Sequence, residues 1–179
     1  MTNQNPWIIE KARSGDAGGL ATFAAKSFRD AFGSMNEPAD VDAYCARAFT
    51  PVAQARELAD PVITTLLAWD RGEIIAYAQL QEGEPHPGVS GLPAILLKRI
   101  YVDQKRLGMG VGKSLMKAVA REAGDRGART LWLTVWEQNP RAIRFYSSLG
   151  MTVVGEADFL LGSDLQRDLV MAGPVDVLL

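Results

Sequence analysis

Cysteine and histidine each occur once in this 179-residue chain, as Cys45 and His86. One thiol cannot close an internal disulfide, and one thiol with one imidazole cannot supply a zinc cluster or more than a single Cys/His pairing. An excess of charge of one sign is lacking too. Nineteen Lys and Arg against 21 Asp and Glu leave a net charge of −2, so no overall basic field exists to hold nucleic acid or an anionic membrane. No run approaches the roughly 18 apolar residues that a spanning helix needs, and Met1 to Trp7 is polar, without the apolar core of a secretory signal. The expectation is a soluble, cytoplasmic protein with no metal, no nucleic-acid partner and no membrane segment. What is present is apolar bulk. A hydrophobic content of 47% in a chain of this length is enough for a single domain over 1–179 around one core. The 17 glycines are unevenly spread, and three of them are Gly108, Gly110 and Gly112.

Leu20, Phe23, Ala24, Phe28, Ala31 and Phe32 recur at three- and four-residue steps and predict an amphipathic helix from Gly15 to Gly33. A second helix is expected from Ala39 to Phe49, with Val41, Tyr44, Cys45 and Ala48 on one side and Pro51 after it. A short third covers Val52 to Leu58. The β-rich runs Val62 to Trp69 and Ile74 to Leu80, separated by Asp70, Arg71, Gly72 and Glu73, read as an antiparallel hairpin. Glu82 to Pro93 reads as a Gly/Pro-rich loop with His86 as a solvated residue. A strand from Ala94 to Val102 carries Lys98 and Arg99. The next helix runs to about Gly127, with Val111, Leu115, Val119 and Ala123 inward and Lys113, Lys117 and Arg121 on a solvated face. Thr130 to Trp136 is a strand, and the helix after it has Asn139 to cap its start, Pro140 in its first turn and Gly150 just past its end. Met151 to Gly155 and, after an irregular stretch, Arg167 to Ala172 are the last strands. The order predicts a mixed sheet with helices packed on it.

A strand that enters a helix through several glycines lets the backbone approach a ligand and aims N–H groups at an anion. Gly112, Lys113 and Ser114 match the close of a phosphate-binding P-loop, but Leu107 stands at its opening glycine, and Asp103 to Arg106 separate strand from loop. The dinucleotide fingerprint fails because Lys113 occupies its third glycine.

The six residues Leu107, Gly108, Met109, Gly110, Val111 and Gly112 resemble the pyrophosphate-binding pattern Arg/Gln-x-x-Gly-x-Gly/Ala of the GNAT family of acetyl-CoA-dependent N-acetyltransferases. Leu107 departs from it at the first position, and Lys105 or Arg106 are nearby substitutes. The run from Asn139 through Ala142, Phe145 and Tyr146 to Gly150 and Met151 resembles the family's Asn-x-x-Ala-x-x-Phe-Tyr-x-x-x-Gly-Phe helix. Together the two cover roughly residues 60–155. The resemblance implies an α/β (α+β) GNAT-like fold: a mixed, mostly antiparallel central sheet with splayed middle strands and helices on both faces. The acceptor-side helices would be about 15–58. It also implies acetyl-CoA as cosubstrate without a metal, bound by Ile100, Tyr101, Val102, Leu107, Gly108, Met109, Gly110, Val111, Gly112, Lys113, Asn139 and Tyr146. A homodimer is an expectation at the level of the family only.

Acetyl transfer from a thioester needs an unprotonated amine, a polarised carbonyl and a proton for the departing thiolate. By resemblance Tyr146 lies beside the coenzyme sulfur and Asn139 beside pantetheine. A phenol with a pKa of about 10 against a thiol at about 8.5 is still a source of protons at neutral pH. The Val102 N–H is a candidate to polarise the carbonyl. The base is expected among carboxylates, with Glu137 first and Glu82 and Glu84 behind it. For the acceptor, Phe32, Asn36, Tyr44 and Phe49, with Val135, Trp136 and Glu137, resemble the bacterial polyamine N-acetyltransferase-like subgroup. Asp30, Glu37, Asp40 and Asp42 stand with no Lys or Arg until Arg47, a charge distribution that draws in a cationic amine. The expected function is acetyl transfer from acetyl-CoA to a small cationic amine in a ternary complex. The alternative is a non-catalytic acyl-CoA-binding protein on the same fold.

Overall fold

The computed structural model describes residues 6–178; the polar segment 1–5 lies outside the described residues. The chain forms two compact units. The first runs to Gln79 and adds Arg99–Leu115, and the second comprises Leu80–Lys98 and Met116–Leu179. Two strands and one helix contribute residues to both.

In the first unit, β1 (Ile8–Lys11) precedes three helices, α1 (Ala17–Phe32), α2 (Pro38–Ala48) and α3 (Pro51–Ala59). Leu20, Ala24 and Phe28 of α1 and Val41 and Cys45 of α2 are buried, as the three- and four-residue spacing requires. Pro51 sits in the first turn of α3, where its missing N–H costs nothing, and the Thr50 hydroxyl accepts from the Ala53 N–H at 3.0 Å. Then come β2 (Ile63–Asp70) and β3 (Glu73–Gln81). Arg71 (φ 52°) and Gly72 (φ 81°) close this hairpin with two consecutive left-handed residues, the turn whose twist matches paired strands. Thr64–Ala68 and Ile75–Leu80 are continuous buried runs, the signature of a sheet covered on both sides.

The second unit is built around β4 (Ala94–Val102), α4 (Val111–Asp125), β5 (Thr130–Trp136), α5 (Pro140–Ser148), β6 (Thr152–Leu161) and β7 (Asp164–Pro174). β4 and β5 are parallel through Ala94↔Thr130, Ile95↔Leu131 and Leu96↔Trp132, and there the ladder ends although β5 continues to Trp136. The middle strands are therefore splayed. β7 lies antiparallel to β5 from Thr130↔Pro174 to Trp136↔Asp168, and β6 covers the outer edge of β7. The hydrogen-bonded order is β1-β2-β3-β4-β5-β7-β6, the mixed, mostly antiparallel sheet that was expected. Among the described residues no helix is long and apolar enough to cross a membrane.

Three features differ from expectation. β1 is a four-residue, largely exposed strand that pairs with β2 from Ile8↔Trp69 to Lys11↔Leu66, too short for its alternation to register in the sequence. The stretch expected to be irregular is a hairpin: β6 runs on to Leu161, β7 begins at Asp164, and Gly162 (φ 60°) lies between them. Glu156, Asp158 and the exposed Leu160 break the apolar alternation there, because β6 is an edge strand with little to bury. His86 is half-buried rather than solvated. Its Nδ1 accepts from the Gly88 N–H at 3.0 Å, and its ring lies where a Cβ on Gly155 would come within 2.7 Å of Cε1.

Candidate functional site

In the first unit the glycine turn follows β4. The Asp103 N–H donates to the Ile75 carbonyl at 2.9 Å, and its carboxylate accepts from the Lys105 N–H at 3.1 Å, which winds Gln104–Arg106 into a single 3-10 turn. Gly108 (φ 80°) and Gly110 (φ 90°) are left-handed, a conformation that side chains resist. The Ser114 N–H donates to the Gly110 carbonyl at 3.0 Å. Helix geometry then leaves the N–H groups of Val111, Gly112 and Lys113 without an intrahelical acceptor, at the positive end of α4. Leu107 and Met109 are exposed, while Val111 is buried and anchors the helix. Of the two nearby basic residues, Arg106 has its guanidinium held by Asp70 at 2.6 Å, and Lys105 is the more open.

Behind this turn in the sequence, the half-buried Ile100, Tyr101 and Val102 of β4 adjoin an aromatic cluster. Phe28 stacks on Tyr44 at 4.6 Å and contacts Phe32 at 4.8 Å and Phe49 at 5.7 Å, and Tyr101 stacks on Tyr77 at 5.6 Å. Phe32 and Tyr44 are thus brought together. The Asn36 amide donates to the Phe32 carbonyl at 2.9 Å and so caps the end of α1. The acidic region is less negative than expected. Lys26 pairs with Asp30 one helical turn on at 2.5 Å, and Arg29 reaches from α1 to Asp42 of α2 at 3.0 Å.

Beside the aromatic residues lies a polar group that sequence reasoning missed. Arg99 of β4 donates to Glu57 of α3 at 2.7 and 3.0 Å and to the Gln79 side-chain carbonyl at 2.8 Å, with its guanidinium 5.1 Å from the Phe49 ring. Gln54 and Gln79 each donate to Glu57 at 3.1 Å. The carboxylate of this unit therefore comes from α3, and Arg99 on β4 is its partner. The Tyr77 hydroxyl is buried without a hydrogen-bond partner, and burial pushes its pKa up.

In the second unit the Asn139 carbonyl oxygen accepts from the Ala142 N–H at 3.1 Å, the N-cap expected of it. Tyr146 is buried on the inner side of α5, edge-to-face with Phe145 at 5.4 Å, and burial raises its phenol above the ordinary range. Glu137 is held by Arg167 at 2.5 and 2.8 Å, and Arg167 also reaches Glu156 at 3.4 Å. Glu82 is paired with Arg126, and Glu84 is exposed. Trp136 is half-buried at the end of β5, opposite Asp168 of β7. Asp168 is a second residue that sequence reasoning missed: it is buried, its Oδ1 has no partner, and desolvation raises its pKa against a hydrogen bond from Thr134 that lowers it. Among the described residues no group of three or more His, Cys, Asp or Glu is placed to hold a metal ion.

The family profile described as "Acetyltransferase (GNAT) family" matches residues 24–151. The chain belongs to that family, and it is an acetyl-CoA-dependent N-acetyltransferase. It is 31% identical over 156 residues to an uncharacterized N-acetyltransferase of Mycobacterium tuberculosis, covering 87% of this chain and 96% of the relative. A shorter segment of 66 residues is 32% identical to the spermine/spermidine N(1)-acetyltransferase of Bacillus subtilis, covering 36% of this chain and 43% of that one. The fold is similar to that of the PaiA N-acetyltransferase from Thermoplasma acidophilum in complex with coenzyme A, with a TM-score of 0.75 at 17% identity over 94% of this chain and 98% of the other.

Proposed function

We propose that the protein transfers the acetyl group of acetyl-CoA to a primary amine of a small cationic, polyamine-like acceptor, directly and without an acetylated enzyme. The observation that carries the reading is the glycine turn, where two left-handed glycines present the first amides of α4. Those amides suit a pyrophosphate, and because they are backbone groups the loss of a side chain at Leu107 removes one contact and leaves the rest. Ile100 to Val102 are assigned the backbone bonds to pantetheine, and the Val102 N–H the carbonyl oxygen. The coenzyme supplies an acetyl group already activated as a thioester.

Tyr146 is assigned the proton for the departing sulfur. Burial makes its phenol a weaker acid, but it also keeps the proton in place at neutral pH. The same desolvation raises a thiol, so donor and acceptor shift together. Asn139 fixes the start of the helix that carries Tyr146. Phe32, Asn36, Tyr44 and Trp136 are assigned to the acceptor, a reading supported by the likeness to the Bacillus spermine/spermidine enzyme. Two of the four acidic residues are already neutralised, so aromatic faces are the larger attraction for a cationic acceptor. The test is thiol release from acetyl-CoA over polyamines, amino acids, aminoglycosides and peptide N-termini. Turnover is expected with spermidine or spermine above the other classes, and a preference for peptide N-termini would refute the polyamine assignment.

A further inference from the structure

Of the carboxylates first considered as the base, Glu137 and Glu82 are each tied to an arginine and Glu84 is exposed, whereas a buried carboxylate without a cation lies elsewhere. Asp168 lies in the middle of a face of β7 that it shares with its register partners Trp136 on β5 and Ala157 on β6, and with Val170. That face is apolar: Val170 and Ala172 pack with Val89, Trp132 and Ala157. Glu137, Asp158 and Arg167 alternate to the opposite face, where Arg167 holds Glu137, while Asp164 is on the Asp168 face but four residues away and exposed at the hairpin end of β7. Glu156, opposite Leu169, points that way too. A titratable group that another element brings to this face is His86, which rests over Gly155, two residues along β6 from Ala157. Asp168 is 7% exposed and its Oδ1 has no partner. An unpaired buried carboxylate costs folding free energy, so its presence calls for a reason other than stability.

Thr134 provides the connection to the outside. Its side chain hydrogen-bonds to Asp168, yet the residue is exposed. It is exposed because β5 loses its parallel neighbour after Leu96↔Trp132, two residues earlier. A buried carboxylate is thus linked through one hydroxyl to the exposed part of β5 beyond Trp132.

We propose that Asp168 is the proton acceptor for the incoming amine, reached through the Thr134 hydroxyl. This assignment rests on the acetyltransfer reading above. In the step, an N–H bond of the acceptor ammonium breaks and its proton passes to the Thr134 oxygen, while the Thr134 O–H proton passes to Asp168. The freed nitrogen lone pair forms the C–N bond to the acetyl carbonyl carbon, the C–S bond breaks, and the thiolate takes the Tyr146 proton. The surplus proton on the new amide nitrogen restores the Tyr146 hydroxyl, so the products are the neutral amide, the thiol and the one proton held by Asp168. Asp168 then returns its proton to solvent by the same hydroxyl. A carboxylate raised by burial is better matched to this task than an exposed one.

The experiment is Asp168→Asn, with Thr134→Val and Thr134→Ser beside it, assayed by thiol release from acetyl-CoA with spermidine between pH 6 and pH 10 and by thermal melting. Asp168→Asn is expected to lower kcat about 100-fold or more at pH 7.5, with the KM for acetyl-CoA kept. The deficit should shrink as pH rises and the free amine forms in solution. Thr134→Val should follow it, and Thr134→Ser should retain most of the rate. Melting supplies a readout independent of turnover. A carboxyl raised in the folded state weakens the fold as pH climbs through its folded pKa, so Asp168→Asn should match or exceed the wild-type Tm at pH 7.5. At acid pH, where Asp168 is protonated, the gain should disappear. An unchanged kcat and pH profile, or a lower Tm at neutral pH, overturns the assignment alone. A wild-type protein that releases no thiol with any amine overturns the acetyltransfer reading, and the base with it.

Discussion

Glu57 and Arg99 are 17% and 12% exposed in their side chains, which makes their pair one of the few in the protein that solvent does not screen. Consider Glu57→Ala. The Gln54 amide keeps the Ala48 carbonyl at 2.9 Å and the Gln79 amide keeps the Thr65 hydroxyl at 3.2 Å, so each loses only one of its two N–H bonds. The cost falls on Arg99, which retains the Gln79 carbonyl but loses its counter-charge while its guanidinium stays buried against Phe49. Breaking a buried pair from one side costs about 3–5 kcal/mol. That is a large share of the roughly 5–15 kcal/mol that holds a domain together. Replacing both partners, as Glu57→Leu with Arg99→Met, leaves no buried charge and should recover most of the loss. Urea unfolding followed by tryptophan fluorescence, with all four corners of the cycle, measures this through the midpoint at constant m. The reasoning fails if Glu57→Ala costs under about 1 kcal/mol, or if the double variant is as unstable as the sum of the singles.

Gly110→Ala places a Cβ at φ 90°, in open space but in strained backbone. About 1–2 kcal/mol of strain is expected, with weaker acetyl-CoA binding by titration calorimetry. Asn139→Ala removes the cap of α5 and should lower stability by about 1 kcal/mol, read by urea unfolding. Tyr146→Phe keeps the packing of a buried ring and removes the hydroxyl. A loss of about 100-fold in kcat, with acetyl-CoA affinity nearly kept, is expected from steady-state thiol release and calorimetry.

The sequence revealed most where local rules decide the outcome. The hairpin turn at Arg71 and Gly72, the limits of β4 and β5, and the cap, proline and terminal glycine around α5 are set within a few residues of one another. The glycine turn after β4 was legible for the same reason. The partners of its side chains were not. Arg106 is 36 positions from Asp70, Arg99 is 42 from Glu57, and Glu137 is 30 from Arg167. No periodicity encodes such pairings, so the sequence showed Glu137 and Arg106 without the partners that hold them. Lys26 and Arg29 lie on the helix before the acidic stretch, and only the packing of α1 on α2 brings Arg29 to Asp42. Asp168 was hidden because one acid in a short strand resembles any edge residue until β6 and β5 flank it.

The bond between Arg106 and Asp70 has a dynamic consequence. Asp70 ends β2 at the hairpin turn, and Arg106 closes the small helix that leads into the glycines. Neither segment frays without breaking the same pair, so the tip of the hairpin and the glycine turn open together. Rigidity of the glycine turn is therefore tied to a β-turn far away in the sequence, so a substitution that breaks the pair at either end loosens both.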